Sequence, residues 1–148
     1  MADKTVFILN GPNLNLLGTR EPDIYGRATL AEISAGAVSH GAKLGFAVEF
    51  RQTNHEGVLI DWVQEAGRSA AGLVINPAAY THTSIALGDA LKAVSIPKIE
   101  LHISNVHARE PFRRVSHASH AVDAVICGLG PDGYRVALDA LRGLIDNR

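Results

Sequence analysis

The 148 residues are 47% hydrophobic and 20% charged, with a formal net charge of −1, which suits a single globular domain (1–148) with a real core. That balance excludes the basic footprint of a nucleic-acid or anionic-membrane partner, and no apolar run approaches the roughly 20 residues of a membrane span. The lone cysteine, Cys127, excludes an intrachain disulfide; with an N-terminus that runs straight into a strand and no signal peptide, it points to the cytoplasm.

Val6-Phe7-Ile8-Leu9 predicts a buried strand over 5–9. The stretch Asn10 to Gly26, NGPNLNLLGTREPDIYG, follows it. A βα connection normally takes a few residues, so a long loop punctuated by Gly and Pro predicts a binding loop or an active-site lid. It carries Arg20 and Tyr25; an arginine near a phenol can lower its pKa and make it a usable base. Apolar spacing predicts a helix over 30–38, closed by Ser39-His40-Gly41, and then a strand over 47–52. The next helix, 58–66, places Leu59, Ile60, Trp62 and Val63 on an apolar face and Asp61, Gln64 and Glu65 outward.

A strand over 72–75 runs into Asn76-Pro77-Ala78-Ala79-Tyr80-Thr81-His82-Thr83-Ser84, and a helix is expected over 84–93. A strand over 98–101 carries Glu100 and continues into His102-Ile103-Ser104-Asn105. The last strand, 124–127, makes Cys127 an inert core thiol. The last helix, 133–145, has Val136, Leu138, Leu141, Leu144 and Ile145 as its stripe. Strand and helix alternating this way predict an α/β fold, a doubly wound five-stranded parallel sheet covered on both faces. At this length a flavodoxin-like order, 2-1-3-4-5, is favoured.

Ligands of such sheets bind beyond the carboxyl ends of the strands. Asn13, Arg20, Tyr25, Asn76, His82, Glu100, His102 and Ser104 all fall there, so they are expected to converge on one rim. NGPNLN lacks the spacing of a dinucleotide or P-loop motif. His102 and His107 are five apart across a loop, which is not a metal-ligand spacing. No nucleophile elbow or Ser–His–Asp set stands out. A phenol, imidazoles, a carboxylate, amides and arginines remain. That kit suits proton transfer beside a carbonyl, with an imidazolium donating to a departing oxygen.

GPNLNLLGTREPDIYG at 11–26, QTNHEG at 52–57, INPAAYTHTS at 75–84 and IELHISNVHAREPFRR at 99–114 are long, specific segments. In this order and spacing they make the chain resemble type II 3-dehydroquinate dehydratase over essentially its whole length. The resemblance implies a flavodoxin-like fold and no cofactor or metal. It implies anti elimination of water from 3-dehydroquinate to 3-dehydroshikimate through an enolate. It also implies a homo-oligomer, typically a dodecamer built as a tetramer of trimers.

By the same resemblance Tyr25 removes the C2 proton and Arg20 closes over the site and favours the tyrosinate. Asn13 holds a water near the enolate oxygen. His102 protonates the departing C1 hydroxyl, and Glu100 orients and charges it. Asn76 and His82 contact substrate hydroxyls. The backbone N–H groups of Ile103 and Ser104, with the Ser104 hydroxyl, bind the carboxylate; Arg113 contacts ring hydroxyls. Asp89 is supplied to a neighbouring subunit's site.

Taken alone, Asp89 reads as a solvated helix residue, and Arg109, Arg113 and Arg114 as surface or interface charges. His40, His55, His107, His117 and His120 read as structural or exposed. The run Ser116 to Ala124 departs from the usual family pattern, notably at His117, Asp123 and Ala124. Two rival readings remain: a flavodoxin-like binding module and a catalytically silent paralogue. The first is opposed by Asn76 where a receiver domain wants an acid, and by Gly11-Pro12-Asn13 where a flavin site wants a phosphate loop. The second is opposed by intact Tyr25, Arg20, His102 and Glu100.

Overall fold

A computed structural model describes residues 3–148. Five parallel strands, β1 (Lys4–Asn10), β2 (Phe46–Gln52), β3 (Gly72–Asn76), β4 (Lys98–His102) and β5 (Ala124–Cys127), lie in the order β2-β1-β3-β4-β5. The helices are α1 (Pro22–Tyr25), α2 (Leu30–Lys43), α3 (Glu56–Ser69), α4 (Ile85–Ala93) and α5 (Gly133–Asp146). This is the flavodoxin-like order expected from the alternation of strand and helix signals.

Side chains alternate across the sheet, so each strand feeds two cores. Val6 and Ile8 of β1 join Val74, Ile99 and Leu101 beneath α2 and α5. Phe7 and Leu9 join Leu73 and Ile75 beneath α3 and α4. On β4 the same alternation puts Glu100 and His102 on the α3/α4 side, opposite Ile99 and Leu101. A buried carboxylate and a buried imidazole thus sit two residues apart on one face of a strand buried along its length.

Local chemistry sets the helix starts. Thr29 caps α2 by accepting the Glu32 N–H at 3.2 Å, and Ser84 caps α4 by accepting the Leu87 N–H at 2.9 Å.

Three expectations need correction. Gly41 does not end α2; the helix runs on to Lys43, and Gly41 sits inside it because a Cβ there would lie 2.4 Å from Val48 Cγ2. The chain turns instead at Gly45, where φ is +79°. Cys127 is half-buried, because β5 is an edge strand and Val125 beside it is largely exposed. The α5 stripe is Tyr134, Ala137, Leu138 and Leu141, with Leu144 and Ile145 half-buried against the same core as expected, whereas half-buried Val136 is not part of it. Among the described residues no helix is long and apolar enough to cross a membrane.

Candidate active site

The loops after β1, β3 and β4 meet at the carboxyl end of the sheet. β1 and β3 are neighbours there because the strand order reverses between them, which opens a crevice. Gly11 lets the first two loops touch: its N–H donates to Asn76 O at 2.8 Å, and a Cβ would lie 2.5 Å from Pro77 O. The resulting cleft spans about 540 Å³ counting its open mouth. Asn13, Arg20, Tyr25, Asn76, His82, His102, Ile103, Ser104 and Arg113 all line it. Arg109 also lines it. Glu100 does not reach the rim; it lies one strand step below, 1% exposed. Asp89 is exposed on α4 and faces a different hollow, beside Lys92, His117 and His120.

The first loop is more ordered than an open lid. It folds into a helical turn at Leu14–Leu16 and the short α1, which ends on Tyr25. Leu14 and Leu17 anchor it in the core. Residues at and just after the end of β2 brace it from the side: Gln52 Nε2 donates to Gly11 O (3.1 Å), and Asn54 Oδ1 accepts the Asn13 N–H (3.0 Å). Asn13 takes the left-handed conformation, φ 68°, which asparagine tolerates, with its side chain unused for capping.

Two guanidinium groups approach Tyr25. Arg20 and Arg109 lie over its ring, 5.1 and 5.2 Å from the centroid. Arg109 Nη1 donates to the Tyr25 hydroxyl oxygen at 2.9 Å and to Ser104 Oγ at 3.2 Å. Arg109 Nε is the one buried side-chain nitrogen or oxygen without a hydrogen-bond partner among the described residues; the Glu110 carboxylate is 3.9 Å away.

His102 Nε2 pairs with Glu100 Oε2 at 2.5 Å, which leaves Nδ1 as the ring nitrogen available to a ligand. Burial pushes the Glu100 carboxyl up, but the hydrogen bond and charge of His102, with the Thr81 and Ser116 hydroxyls, together outweigh it and hold the group below the usual carboxylate range. His82 stacks on His102, with ring centroids 6.3 Å apart. Burial is the main cause holding His82 below its ordinary pKa, aided by the nearby charges of His102 and Arg113 and opposed by its hydrogen bond to Val115 O. A neutral His82 must place its one N–H on Nδ1, because a carbonyl can only accept (2.7 Å). Its Nε2 is then an acceptor for a ligand hydroxyl.

Asn76 is fixed by a buried chain. Tyr134 donates to Asn10 Oδ1 at 2.6 Å and accepts from Asn76 Nδ2 at 3.1 Å, while Asn76 Oδ1 accepts the Ala78 N–H at 3.1 Å. Burial pushes the Tyr134 phenol far up, more than the Asn76 bond lowers it, so it is a neutral donor. Ala78 is held at φ 52°, strained for a residue with a Cβ, at the cleft wall. Among the described residues no group of three or more His, Cys, Asp or Glu is placed to hold a metal ion.

The dehydroquinase class II family model matches residues 4–142. The chain belongs to the class II dehydroquinase family. It is 60% identical over 139 residues to 3-dehydroquinate dehydratase 1 of Agrobacterium fabrum, covering 94% of this chain and 96% of that one. It is 62% identical over 139 residues to 3-dehydroquinate dehydratase of Chelativorans sp., covering 93% and 96%. The crystal structure of type II dehydroquinase from Propionibacterium acnes superposes with a TM-score of 0.91 at 45% identity, covering 96% of this chain and 98% of that one.

Seen as a class II dehydroquinase cleft, the site holds residues that sequence reasoning passed over. Arg109 lay in a run with Arg113 and Arg114, and nothing in the sequence separates the one that reaches Tyr25 from the others. Tyr134 did carry a signal: it falls at i, i+4 and i+7 with Leu138 and Leu141, so it had to be buried, and a buried phenol requires a hydrogen-bond partner. Gln52 and Asn54 stood in a quoted motif without an assigned task; they brace the first loop.

Proposed function

We propose that this chain, acting as a single catalytic domain, dehydrates 3-dehydroquinate to 3-dehydroshikimate, the elimination step of the shikimate pathway. The same step serves aromatic biosynthesis and the breakdown of quinate. The observation that carries the reading is the pairing, in one cleft, of an arginine-braced phenol with a carboxylate-backed imidazole.

In this reading the Tyr25 oxygen, as phenolate, takes the proton from C2. The electron pair moves toward the C3 carbonyl, giving an enolate whose oxygen is held through a water on Asn13. The enolate then re-forms the carbonyl, the C1–C2 double bond forms, and the C1–O bond breaks. His102 Nδ1 gives its proton to the departing hydroxyl, which leaves as water. Protons balance: one leaves C2 for Tyr25, one leaves His102 with the oxygen, and solvent restores both groups. Arg109, with Arg20, holds the phenolate; Glu100 holds the imidazolium. The Ile103 and Ser104 N–H groups and the Ser104 hydroxyl take the carboxylate, Asn76 and His82 the hydroxyls, and Arg113 the ring edge. No cofactor or metal has a part in these steps.

Asp89 is proposed to act in a neighbouring copy of the chain, within a homo-oligomer on the scale of a dodecamer. Supporting this, Asp89 is exposed on α4 and stands away from its own cleft. The enzyme is proposed to work in the cytoplasm.

The test is direct. Purified, chelator-treated protein is mixed with 3-dehydroquinate, and the ultraviolet absorbance of the conjugated enone product is followed. Turnover without added metal or cofactor is the expected result. A folded, oligomeric protein with no turnover would refute the reading and favour a silent paralogue.

A further inference from the structure

Glu100 is held from behind by more than His102. Thr81 Oγ1 lies 2.8 Å from Glu100 Oε2, the oxygen that also pairs with His102. Ser116 Oγ lies 3.0 Å from Thr81 Oγ1 and 3.4 Å from Glu100 Oε1. The Ala118 and Ser119 N–H groups donate to Ser116 Oγ at 3.1 and 3.0 Å. The His117 N–H donates to Thr81 O at 2.8 Å, which ties the two segments together. Thr81 is 1% exposed, and neither hydroxyl lines the cleft.

Counting protons gives this chain one direction. A backbone N–H can only donate, so Ser116 Oγ accepts from residues 118 and 119. An ionised carboxylate can only accept, so Thr81 spends its single proton on Glu100. The shorter Thr81–Ser116 contact then needs the Ser116 proton. Donors therefore run from the backbone at 118–119 through Ser116 and Thr81 into Glu100. A hydrogen bond to the charged form favours that form, and successive bonds polarise one another.

We propose that Thr81 and Ser116 are positioning residues for the acid step: their donor relay keeps Glu100 a weak base, so the proton it shares with His102 stays on the imidazole. This rests on the dehydration proposed above. Without the relay the carboxylate becomes more basic and pulls the Nε2 proton toward itself. The ring then carries less of the positive charge and donates less readily to a leaving hydroxyl. The pair titrates as a unit, so a more basic carboxylate moves both of its proton steps to higher pH. The other titratable or charged groups beside the pair are His82, stacked on His102, Arg113, which acts on His82, and the Cys127 thiol, the register partner of His102 on β5. The strand neighbours of Glu100, Ile75 and Val125, are uncharged.

The experiment measures kcat and KM for 3-dehydroquinate across pH in wild type, Thr81→Val, Thr81→Ser and Ser116→Ala. The His102 ring nitrogens are titrated by NMR in the same proteins. In Thr81→Val the kcat profile and the His102 titration both move up, on the order of one pH unit, the scale of a lost hydrogen bond to a charged group. KM stays within about twofold, since the hydroxyl does not touch substrate. Thr81→Ser restores the wild-type profile, and Ser116→Ala shifts it less in the same direction. Unmoved profiles and titrations in both Thr81→Val and Ser116→Ala overturn the proposal, even if kcat or melting temperature falls. Absence of wild-type turnover would refute the dehydration instead, and the NMR titration would still decide the relay. Ser116→Ala, at a half-buried position, keeps the test decisive if Thr81→Val does not fold.

Discussion

Tyr134 shows how one hydroxyl far along the chain shapes the cleft. Its bonds to Asn10 and Asn76 fix the Asn76 amide, with Nδ2 toward the phenol and Oδ1 on the Ala78 N–H. Tyr134→Phe leaves Asn10 and Asn76 each short of one buried partner, at a cost of about 1–3 kcal/mol in stability. The freed amide weakens ground-state binding, so steady-state kinetics should show KM rising several-fold with kcat changed less. His82 supplies a pH test. Its folded pKa is depressed, so below its unfolded value of 6.5 the unfolded chain binds a proton that the folded chain refuses. Stability therefore falls as pH drops from 6.5 toward the folded pKa. Thermal melts against pH should show that loss in wild type and a smaller one in His82→Asn. Glu100 adds a second loss further down. Its folded pKa lies below the ordinary 4.5, so the stability it contributes is present above 4.5 and disappears as pH falls through the folded value.

Elements position these groups through a few close approaches. Gly11 is the contact between the loops after β1 and β3. Gly11→Ala would drive a methyl against Pro77 O and push the Tyr25 loop away from Asn76 and His82. A misplacement of about 1 Å costs on the order of 10²-fold in catalysis. The variant should lose kcat/KM on that scale, while circular dichroism still reports an intact sheet. Much of this architecture is legible in the sequence, because strand and helix signals differ in period and the strand order follows from right-handed crossovers. Element ends are less legible. Gly41 resembles a stop signal because glycine usually ends helices, yet here it makes room for Val48, a contact that exists only after β2 has packed. Cys127 reads as core because its neighbours are apolar, although the order 2-1-3-4-5 already puts its strand at an edge, where one side stays open. The rim residues are legible because they follow strand ends. Arg109 and the Thr81–Ser116 pair are not, since their partners lie 84 and 35 residues away. Asp123, in the atypical run, proves to be exposed at the start of β5, its carboxylate accepting the Lys98 N–H at 2.8 Å.

At the scale of the whole molecule, the chain leaves Ile85, Phe112 and Val115 exposed beside the segments that carry Asp89 and Arg113. Single exposed apolar residues mean little. The proposed delivery of Asp89 to a neighbouring copy's cleft makes assembly relevant to the chemistry. Diluting the enzyme below its assembly midpoint should lower specific activity in step with the sedimenting mass, and Asp89→Ala should lower it at all concentrations. A monomer with full activity would remove Asp89 from the account. The central claim is that a phenol braced by arginine does the proton abstraction. The most direct measurement is turnover of 3-dehydroquinate by Tyr25→Phe beside wild type, with substrate affinity measured on the same samples by calorimetry. The expected kcat is lower by about 10²–10⁴-fold, the usual worth of a general base, with affinity nearly unchanged. Wild-type turnover in Tyr25→Phe would contradict it.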